Sequence, residues 1–291
     1  MERKKTPSFG YYQKKVQKRL AYSLHQKKKE LYQLTHPAGL GEKKVVFILG
    51  CQRSGTTLMS EIFDKDLNAR VYPERSPLSA QDRVDRLRLN PLPDVRRSLE
   101  ASRFPLQVLK PLVESQNSRA LLEYFPNARG IWMLRHYTDV ASSNLKRFGK
   151  RNGIRNLRYI VHGPEDNWRG QRLPEEARTL VVRLFSESMN PYDAAALFWY
   201  TRNLFFFEQG LERHPRLLTC RYDELVRAPR EIMQEIYRYI GEPFPGEEIL
   251  EEVHASSVGK GRDIPLSGEV RALCDEMWCR LEQAHANRAR Y

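Results

Sequence analysis

One short loop in this sequence has the residue types and spacing needed to bind a phosphate. The stretch GCQRSGTT, from Gly50 to Thr57, follows the apolar run Val45 to Leu49 and has the glycine spacing of a phosphate-binding loop. Gly55 lets the backbone approach a phosphate, and the backbone N–H groups at a helix start attract an anion. We therefore predict that the loop binds an anionic nucleotide. The candidate binding residues are Gln52, Arg53, Ser54, Gly55, Thr56 and Thr57.

Two positions argue against a metal-dependent nucleotide site. Thr56 stands where nucleotide-hydrolysing loops carry the lysine that bridges the terminal phosphates. Arg135 ends a second apolar run, Gly130 to Leu134, where an ATPase would present the aspartate that holds Mg²⁺. A cation in that place indicates that protein groups neutralise the charge of the ligand, so we expect no metal. A P-loop nucleotide kinase or ATPase remains the alternative function.

The elements that position this loop follow an alternating order. The segments 45–49, 130–134 and 216–220 predict buried strands. Helical patterns follow them, one from about residue 56, one through Asp139 to about residue 148 and one near 230–240. This alternation indicates an α/β protein with a three-layer P-loop-type fold, in which helices flank a central parallel sheet. The segments 75–103 and 147–178 fit the pattern poorly. We expect loops and short helices there, which either shape an acceptor site or merely connect the strands.

The positive charge is concentrated at the amino terminus. Residues 1–44 hold 12 Lys and Arg against three acids, so they carry +9 of the formal net charge of +13. Residues 11–34 place Tyr12, Val16, Leu20, Leu24 and Leu31 at helical spacing with lysines between them, which predicts a basic amphipathic helix. We divide the chain into this arm, residues 1–43, and one larger domain, residues 44–291. The helix either packs on the domain with its lysines in solvent or contacts an anionic membrane or polymer through residues 1–34.

The composition limits the classes of protein to which this sequence could belong. No apolar run approaches the ~20 residues that span a bilayer, and the first 30 residues lack a signal peptide's apolar core, so we expect a soluble, cytoplasmic protein. Peripheral membrane contact stays open. A nucleic-acid-binding module would also be basic, but a site for an anionic nucleotide favours the same charge, and we do not expect a nucleic-acid partner. The cysteines have no zinc-ligand spacing and are expected to be free thiols.

Two segments resemble the donor-binding motifs of sulfotransferases that use 3′-phosphoadenosine-5′-phosphosulfate (PAPS). FILGCQRSGTTLM, residues 47–59, is similar to the family's 5′-phosphosulfate loop, and FPNARGIWMLRHYTDVASS, residues 125–143, is similar to its 3′-phosphate element. The resemblance implies that Arg135 and Ser143 bind the 3′-phosphate. His136 and Tyr137 stand where the family more often has Asp-Pro. The Arg-Ser-Gly-Thr-Thr sequence is closer to the bacterial, tyrosylprotein and carbohydrate branches than to the cytosolic phenol and steroid branch.

Two weaker segments extend the resemblance over roughly residues 44–285. CRYDEL, residues 220–225, implies that Tyr222 lies near the 3′-phosphate or the adenine, although a buried core tyrosine is the competing interpretation. VGKGR, residues 258–262, is similar to a loop that closes over the nucleotide. Its residues Lys260, Gly261 and Arg262 are therefore implied to bind PAPS.

Sulfuryl transfer needs cations near the leaving group and a base near the acceptor hydroxyl. Arg53 is placed to meet the leaving 5′-phosphate, and Lys110, after the apolar run Leu106 to Leu109, could supply a second cation. The resemblance to the glutamate-using branches implies that Glu74 is the base. The competing interpretation of Lys110 is a surface lysine, and that of Glu74 is a solvated glutamate.

The acceptor is left open by the sequence. A glycan, a lipid-linked glycan, a peptide tyrosine and a small alcohol all fit. We expect an anionic or carbohydrate acceptor, and a basic surface favours an anionic one. Ser256 and Ser257 precede the closing loop, where related enzymes sometimes place a serine on the bridging sulfate oxygen. His136 adjoins Arg135, and we interpret it as a helix-start residue.

Overall fold

The structure is a computed structural model that describes residues 9–36, 43–80, 87–255, 258–261 and 263–288. A central sheet has five parallel strands in the order β2-β3-β1-β4-β5. In register, Val46 of β1 lies between Val108 of β3 and Arg129 of β4. The strands are β1 (Lys44–Gly50), β2 (Ala69–Tyr72), β3 (Leu106–Leu109), β4 (Ala128–Leu134) and β5 (Leu217–Arg221).

The helices lie before, between and after these strands. They are α1 (Phe9–Thr35), α2 (Thr56–Lys65), α3 (Leu92–Ala101), α4 (Ser118–Tyr124), α5 (Tyr137–Phe148), α6 (Asn152–His162), α7 (Glu175–Leu184), α8 (Pro191–Glu208), α9 (Tyr222–Arg227), α10 (Pro229–Ile240) and α11 (Gly268–Arg288). Short 3₁₀ helices lie at Leu112–Asn117, Leu211–Arg213 and Glu247–Leu250. The predicted segments 75–103 and 147–178 contain α3, α6 and the start of α7, joined by loops.

The sheet separates two hydrophobic cores, because successive strand residues point to opposite faces. Phe47 and Leu49 of β1 pack with residues of α5, α6, α8 and α11 on one face. Val46 and Ile48 pack with α2 and α10 on the other. All four side chains are fully buried. The predicted α/β fold of three layers, helices around a parallel sheet, is therefore confirmed.

The predicted amino-terminal helix is present, but it packs on the domain through polar side chains and not through its apolar stripe. Lys29 was expected in solvent if the helix packed on the domain, yet its side chain is completely buried. Its ammonium group donates to the backbone carbonyl of Asp64, at the end of α2, over 2.6 Å. A cation is favourable there because the carbonyl end of a helix carries partial negative charge.

Three further features of the described residues concern membrane spans, metal ligands and cysteines. None of the helices described is both long and apolar enough to cross a membrane. Within the same ranges there is no group of three or more His, Cys, Asp or Glu that could hold a metal ion. The four cysteines, Cys51, Cys220, Cys274 and Cys279, are free.

Candidate active site at the carboxyl ends of the strands

The predicted phosphate loop connects β1 to α2. Gly55 has a φ of +96°, a left-handed conformation that glycine adopts without strain, and α2 begins at the next residue. No side chain of the described residues caps the first turn of α2. The Ser54 hydroxyl oxygen is buried and has no hydrogen-bond partner within the described part of the chain. An uncapped helix start beside an unpaired buried hydroxyl is the arrangement that an anion would complete.

Cys51 lies inside this loop, but its thiol is unreactive. Burial raises the pKa of its thiol to about 12. The side chain is almost entirely inaccessible. A neutral, buried thiol packs as a small apolar residue and does not act as a nucleophile.

Lys110 connects the loop to the candidate base. It follows β3 directly, its side chain is buried, and its ammonium group donates to the Thr57 hydroxyl over 3.1 Å. Glu74, two residues beyond β2, places a carboxylate oxygen 3.8 Å from the same ammonium nitrogen. The Glu74 side chain is 31% exposed and therefore accessible to a substrate. The structure brings the loop, a cation and a carboxylate together where three neighbouring strands end.

Arg53 reaches the opposite side of the loop. Its Nε donates to the Ser143 hydroxyl of α5 over 3.0 Å, and its carbonyl oxygen accepts from Arg135 over 3.2 Å. Burial lowers the pKa of the Arg53 guanidinium, and the neighbouring charges of Arg135 and Arg147 lower it further. The three predicted residues Arg53, Arg135 and Ser143 thus lie together, and the two guanidinium groups make the cluster positive. An anion placed between them would relieve the repulsion of the cations.

Tyr222 joins the loop to this cluster. The Arg135 guanidinium lies 4.2 Å from the centre of the Tyr222 ring, within range of a cation–π contact. The ring also packs on Gly55, so closely that a Cβ there would lie 2.5 Å from Tyr222 Cδ2. Tyr222 is only 7% exposed, so it is a core tyrosine that also contacts both parts of the site.

Asp139 holds the predicted closing loop in place. Its two carboxylate oxygens accept from the backbone N–H groups of Gly259 and Gly261 over 2.9 and 2.8 Å. The Arg135 guanidinium lies 3.8 Å from the same carboxylate. These contacts place Lys260, whose side chain is exposed, beside the start of α5. Arg262, Ser256 and Ser257 lie outside the described residues.

A cavity of roughly 380 Å³ lies between the ends of β4 and β5 and helix α11. Its lining includes Arg135, His136, Tyr222, Gly259 and Trp278. His136 caps α5, as expected of a helix-start residue, by accepting from the backbone N–H of Thr138. Burial lowers the pKa of the His136 imidazole. The cavity lining therefore combines arginine and aspartate side chains with aromatic rings.

Two residues of this region were not identified from the sequence. Asp139 lies four residues after Arg135, which is one helical turn, and this spacing could have suggested an ion pair. Trp278 lies in α11, more than fifty positions beyond Tyr222, and no local pattern marks it. Only the fold brings Trp278 to the cavity.

Comparisons with known proteins agree with this geometry. A family model described as a sulfotransferase domain matches residues 43–288. A sequence search against curated proteins gives no significant match. The sulfotransferase domain of the olefin synthase from Synechococcus PCC 7002 has a similar structure, with a TM-score of 0.55 and 17% identity over 83% of this chain and 95% of that domain.

A second solved structure is slightly less similar. The sulfotransferase domain from the curacin biosynthetic pathway has a TM-score of 0.50 and 16% identity over 81% of this chain and 97% of that domain. At such low identities these two structures establish the fold alone. The family match, by contrast, spans most of the chain. The protein therefore belongs to the sulfotransferase domain family and is an enzyme that transfers sulfuryl groups.

Proposed function

We propose that the sulfuryl donor is PAPS, that the acceptor is a hydroxyl group and that Glu74 is the general base. The observation that carries this proposal is the position of Lys110, whose ammonium group contacts Thr57 of the phosphate loop and lies 3.8 Å from Glu74. A donor phosphosulfate on the loop would therefore lie near a carboxylate that can take a proton from the acceptor. Geometry of this kind is the first requirement for general base catalysis.

The donor-binding residues form two halves. The loop, from Gln52 to Thr57, and the start of α2 would hold the 5′-phosphosulfate, and the buried Ser54 hydroxyl would gain its missing partner. Arg135 and Ser143 would hold the 3′-phosphate, with Tyr222 between the halves. The cavity beside Arg135 offers space for the nucleoside. Lys260 and Gly261, and Arg262 beyond the described residues, would close this side of the site.

PAPS supplies an activated sulfuryl group, and the protein has to stabilise charge and move one proton. The acceptor oxygen forms a bond to sulfur while the bond from sulfur to the 5′-phosphate oxygen breaks and leaves its electron pair on that oxygen. Glu74 takes the acceptor proton. Lys110 stabilises the charge on the 5′-phosphate, as positioned cations do in phosphoryl transfer. Arg53 would add a second cation by turning its guanidinium from Ser143 toward the loop. The P-loop kinase or ATPase alternative is not retained, because the family match assigns sulfuryl transfer.

A conservative substitution at Glu74 tests the proposal. Glu74→Gln keeps the size of the side chain but removes the base, so turnover should fall about 100- to 10,000-fold. The affinity for 3′,5′-adenosine bisphosphate, measured by calorimetry, should stay unchanged. Glu123→Gln, in an exposed pair with Arg119, is the matched control. Turnover of the Glu74→Gln enzyme at the wild-type rate would eliminate Glu74 as the base.

The acceptor for this assay comes from a screen. Labelled PAPS is incubated with glycans, lipid-linked glycans, tyrosine peptides and small alcohols, and transfer of label to each class is measured. An anionic or carbohydrate acceptor remains our prediction, and so does a cytoplasmic location. Metal-dependent ATP binding without affinity for the bisphosphate would contradict PAPS as the donor.

A further inference from the structure

Helix α1 docks on the domain through its polar side. The buried ammonium group of Lys29 binds Asp64, and the Gln33 side chain donates to the carbonyl of Leu67 over 2.9 Å. Glu30 pairs with Arg70 of the edge strand β2 over 2.8 Å. These hydrogen bonds orient the helix, because they are directional and several involve buried groups.

The opposite side of α1 carries an apolar stripe that faces solvent. We define the outer stripe as Val16, Leu20, Leu24, Leu31 and Leu34. Successive members are three, four or seven residues apart, so they lie on one side of the helix. Each is between 54% and 65% exposed. Scattered apolar residues are common on protein surfaces, but a row along a 27-residue helix indicates a contact surface.

The charge around the stripe selects among partners. Residues 1–44 carry +9, and Lys27 lies in the row between Leu24 and Leu31. Both Lys27 and its neighbour Lys28 are exposed. Two copies of α1 facing each other would bring like charges together and would bury Lys27 in the seam. At a lipid surface the same lysines can extend their amino groups toward anionic headgroups while the leucines enter the acyl boundary.

We propose that the outer stripe of α1 binds the surface of an anionic lipid bilayer, with the helix lying in the membrane plane. The helix is about 40 Å long and, unlike a spanning segment, is polar on one side. That polar side stays bound to the domain, so membrane contact needs no rearrangement of the fold. This inference does not depend on the identity of the sulfuryl donor or acceptor.

Vesicle binding by the full chain tests the proposal. The protein is mixed with vesicles of phosphatidylcholine alone, or with about one third phosphatidylserine, and the bound fraction is measured after centrifugation. Binding should require phosphatidylserine. The triple variant Leu20→Gln, Leu24→Gln and Leu31→Gln should bind more weakly by on the order of 100-fold or more, since it removes the apolar contact and keeps the helix propensity.

The control replaces an exposed apolar residue elsewhere. Val182→Gln, on α7 and 50% exposed in the native protein, should leave vesicle binding unchanged. Lys27→Gln with Lys28→Gln should reduce the preference for phosphatidylserine. The proposal is overturned if the triple variant binds like wild type, if both vesicle types bind equally, or if Val182→Gln loses binding as well. Light scattering that shows a dimer, abolished by the triple variant, would assign the stripe to a second copy instead.

Discussion

The close contact between Gly55 and Tyr222 makes one substitution unusually informative. Gly55→Ala adds a single methyl group at a loop residue whose φ is +96°. The left-handed conformation costs an alanine about 1–2 kcal/mol. The new Cβ would also lie 2.5 Å from Tyr222 Cδ2, which forces a nearly buried ring to move. Overpacking of this kind adds about 1–3 kcal/mol, so the free energy of unfolding should fall by roughly 2–5 kcal/mol.

The same displacement should weaken nucleotide binding. Tyr222 lies against the Arg135 guanidinium, at 4.2 Å from the ring centre. A ring that moves away from Gly55 shifts Arg135 as well, so both halves of the donor site lose their alignment. We expect the binding free energy to weaken by about 1.4 kcal/mol or more, which corresponds to a tenfold or larger rise in Kd. Titration calorimetry with 3′,5′-adenosine bisphosphate measures it directly.

A second glycine separates backbone strain from the steric contact. Gly241 ends α10 with a φ of +76°, and a Cβ there would meet only the Lys44 ammonium at an ordinary 3.7 Å. Gly241→Ala should therefore cost about 1–2 kcal/mol and leave nucleotide binding unchanged. Urea denaturation of both variants gives the difference between their free energies of unfolding. Equal losses of stability, together with normal bisphosphate binding by Gly55→Ala, would refute the role assigned to Tyr222.

Three further substitutions test other contacts. Arg135→Ala should raise the Kd of 3′,5′-adenosine bisphosphate about 10- to 100-fold, and that of the analogue without the 3′-phosphate far less, because a charged hydrogen bond contributes ~1.5–3 kcal/mol. Asp139→Asn should raise the bisphosphate Kd on the order of tenfold, since one acceptor of the Gly259 and Gly261 N–H groups is lost. Both values come from calorimetry. Lys29→Ala should lower the free energy of unfolding in urea by ~2–4 kcal/mol, because the partly buried Asp64 carboxylate loses its cation and keeps only the Gln26 amide as a donor among the described residues.

Each of these substitutions has an exposed counterpart as a control. The bisphosphate Kd should stay unchanged in Arg119→Ala and in Asp94→Asn. The free energy of unfolding should stay unchanged in Lys28→Ala. Equal losses for the two nucleotides would remove Arg135 from the 3′-phosphate site. An Asp139→Asn enzyme with wild-type affinity would show that the closing loop does not depend on that carboxylate. A Lys29→Ala protein as stable as Lys28→Ala would mean that the buried ion pair contributes nothing to docking.

The sheet could be predicted where strands are buried on both faces. Strands β1, β4 and β5 have continuous or nearly continuous apolar runs, and the structure places them within two residues of the predicted bounds. Strand β2 was missed because it has only four residues, the last three of which are half-buried. Helix α8 was missed for the opposite reason. Thirteen of its 18 residues are buried, so it has no one-sided stripe to detect.

The candidate site was predictable where it depends on local motifs. The loop around Arg53 and the segment from Arg135 to Ser143 follow strands whose ends meet at one edge of the sheet, and this is enough to expect them near each other. The Tyr222 contact with Gly55 and the position of Trp278 depend on side-chain packing between distant segments. No spacing in the sequence contains that information. The orientation of α1 was also unpredictable, because a buried lysine is rare without a specific partner.

Helix α2 connects the amino-terminal arm to the phosphate loop. Lys29 and Gln33 hold the arm at the carbonyl end of α2, and the loop lies at the other end of this ten-residue helix, about 15 Å away. A flexible tether would let the enzyme reach acceptors over a wide volume. Rigid docking instead fixes the height of the reaction centre above any surface to which α1 binds. Distance from that surface, in addition to chemical identity, would then decide which hydroxyl groups can be sulfated.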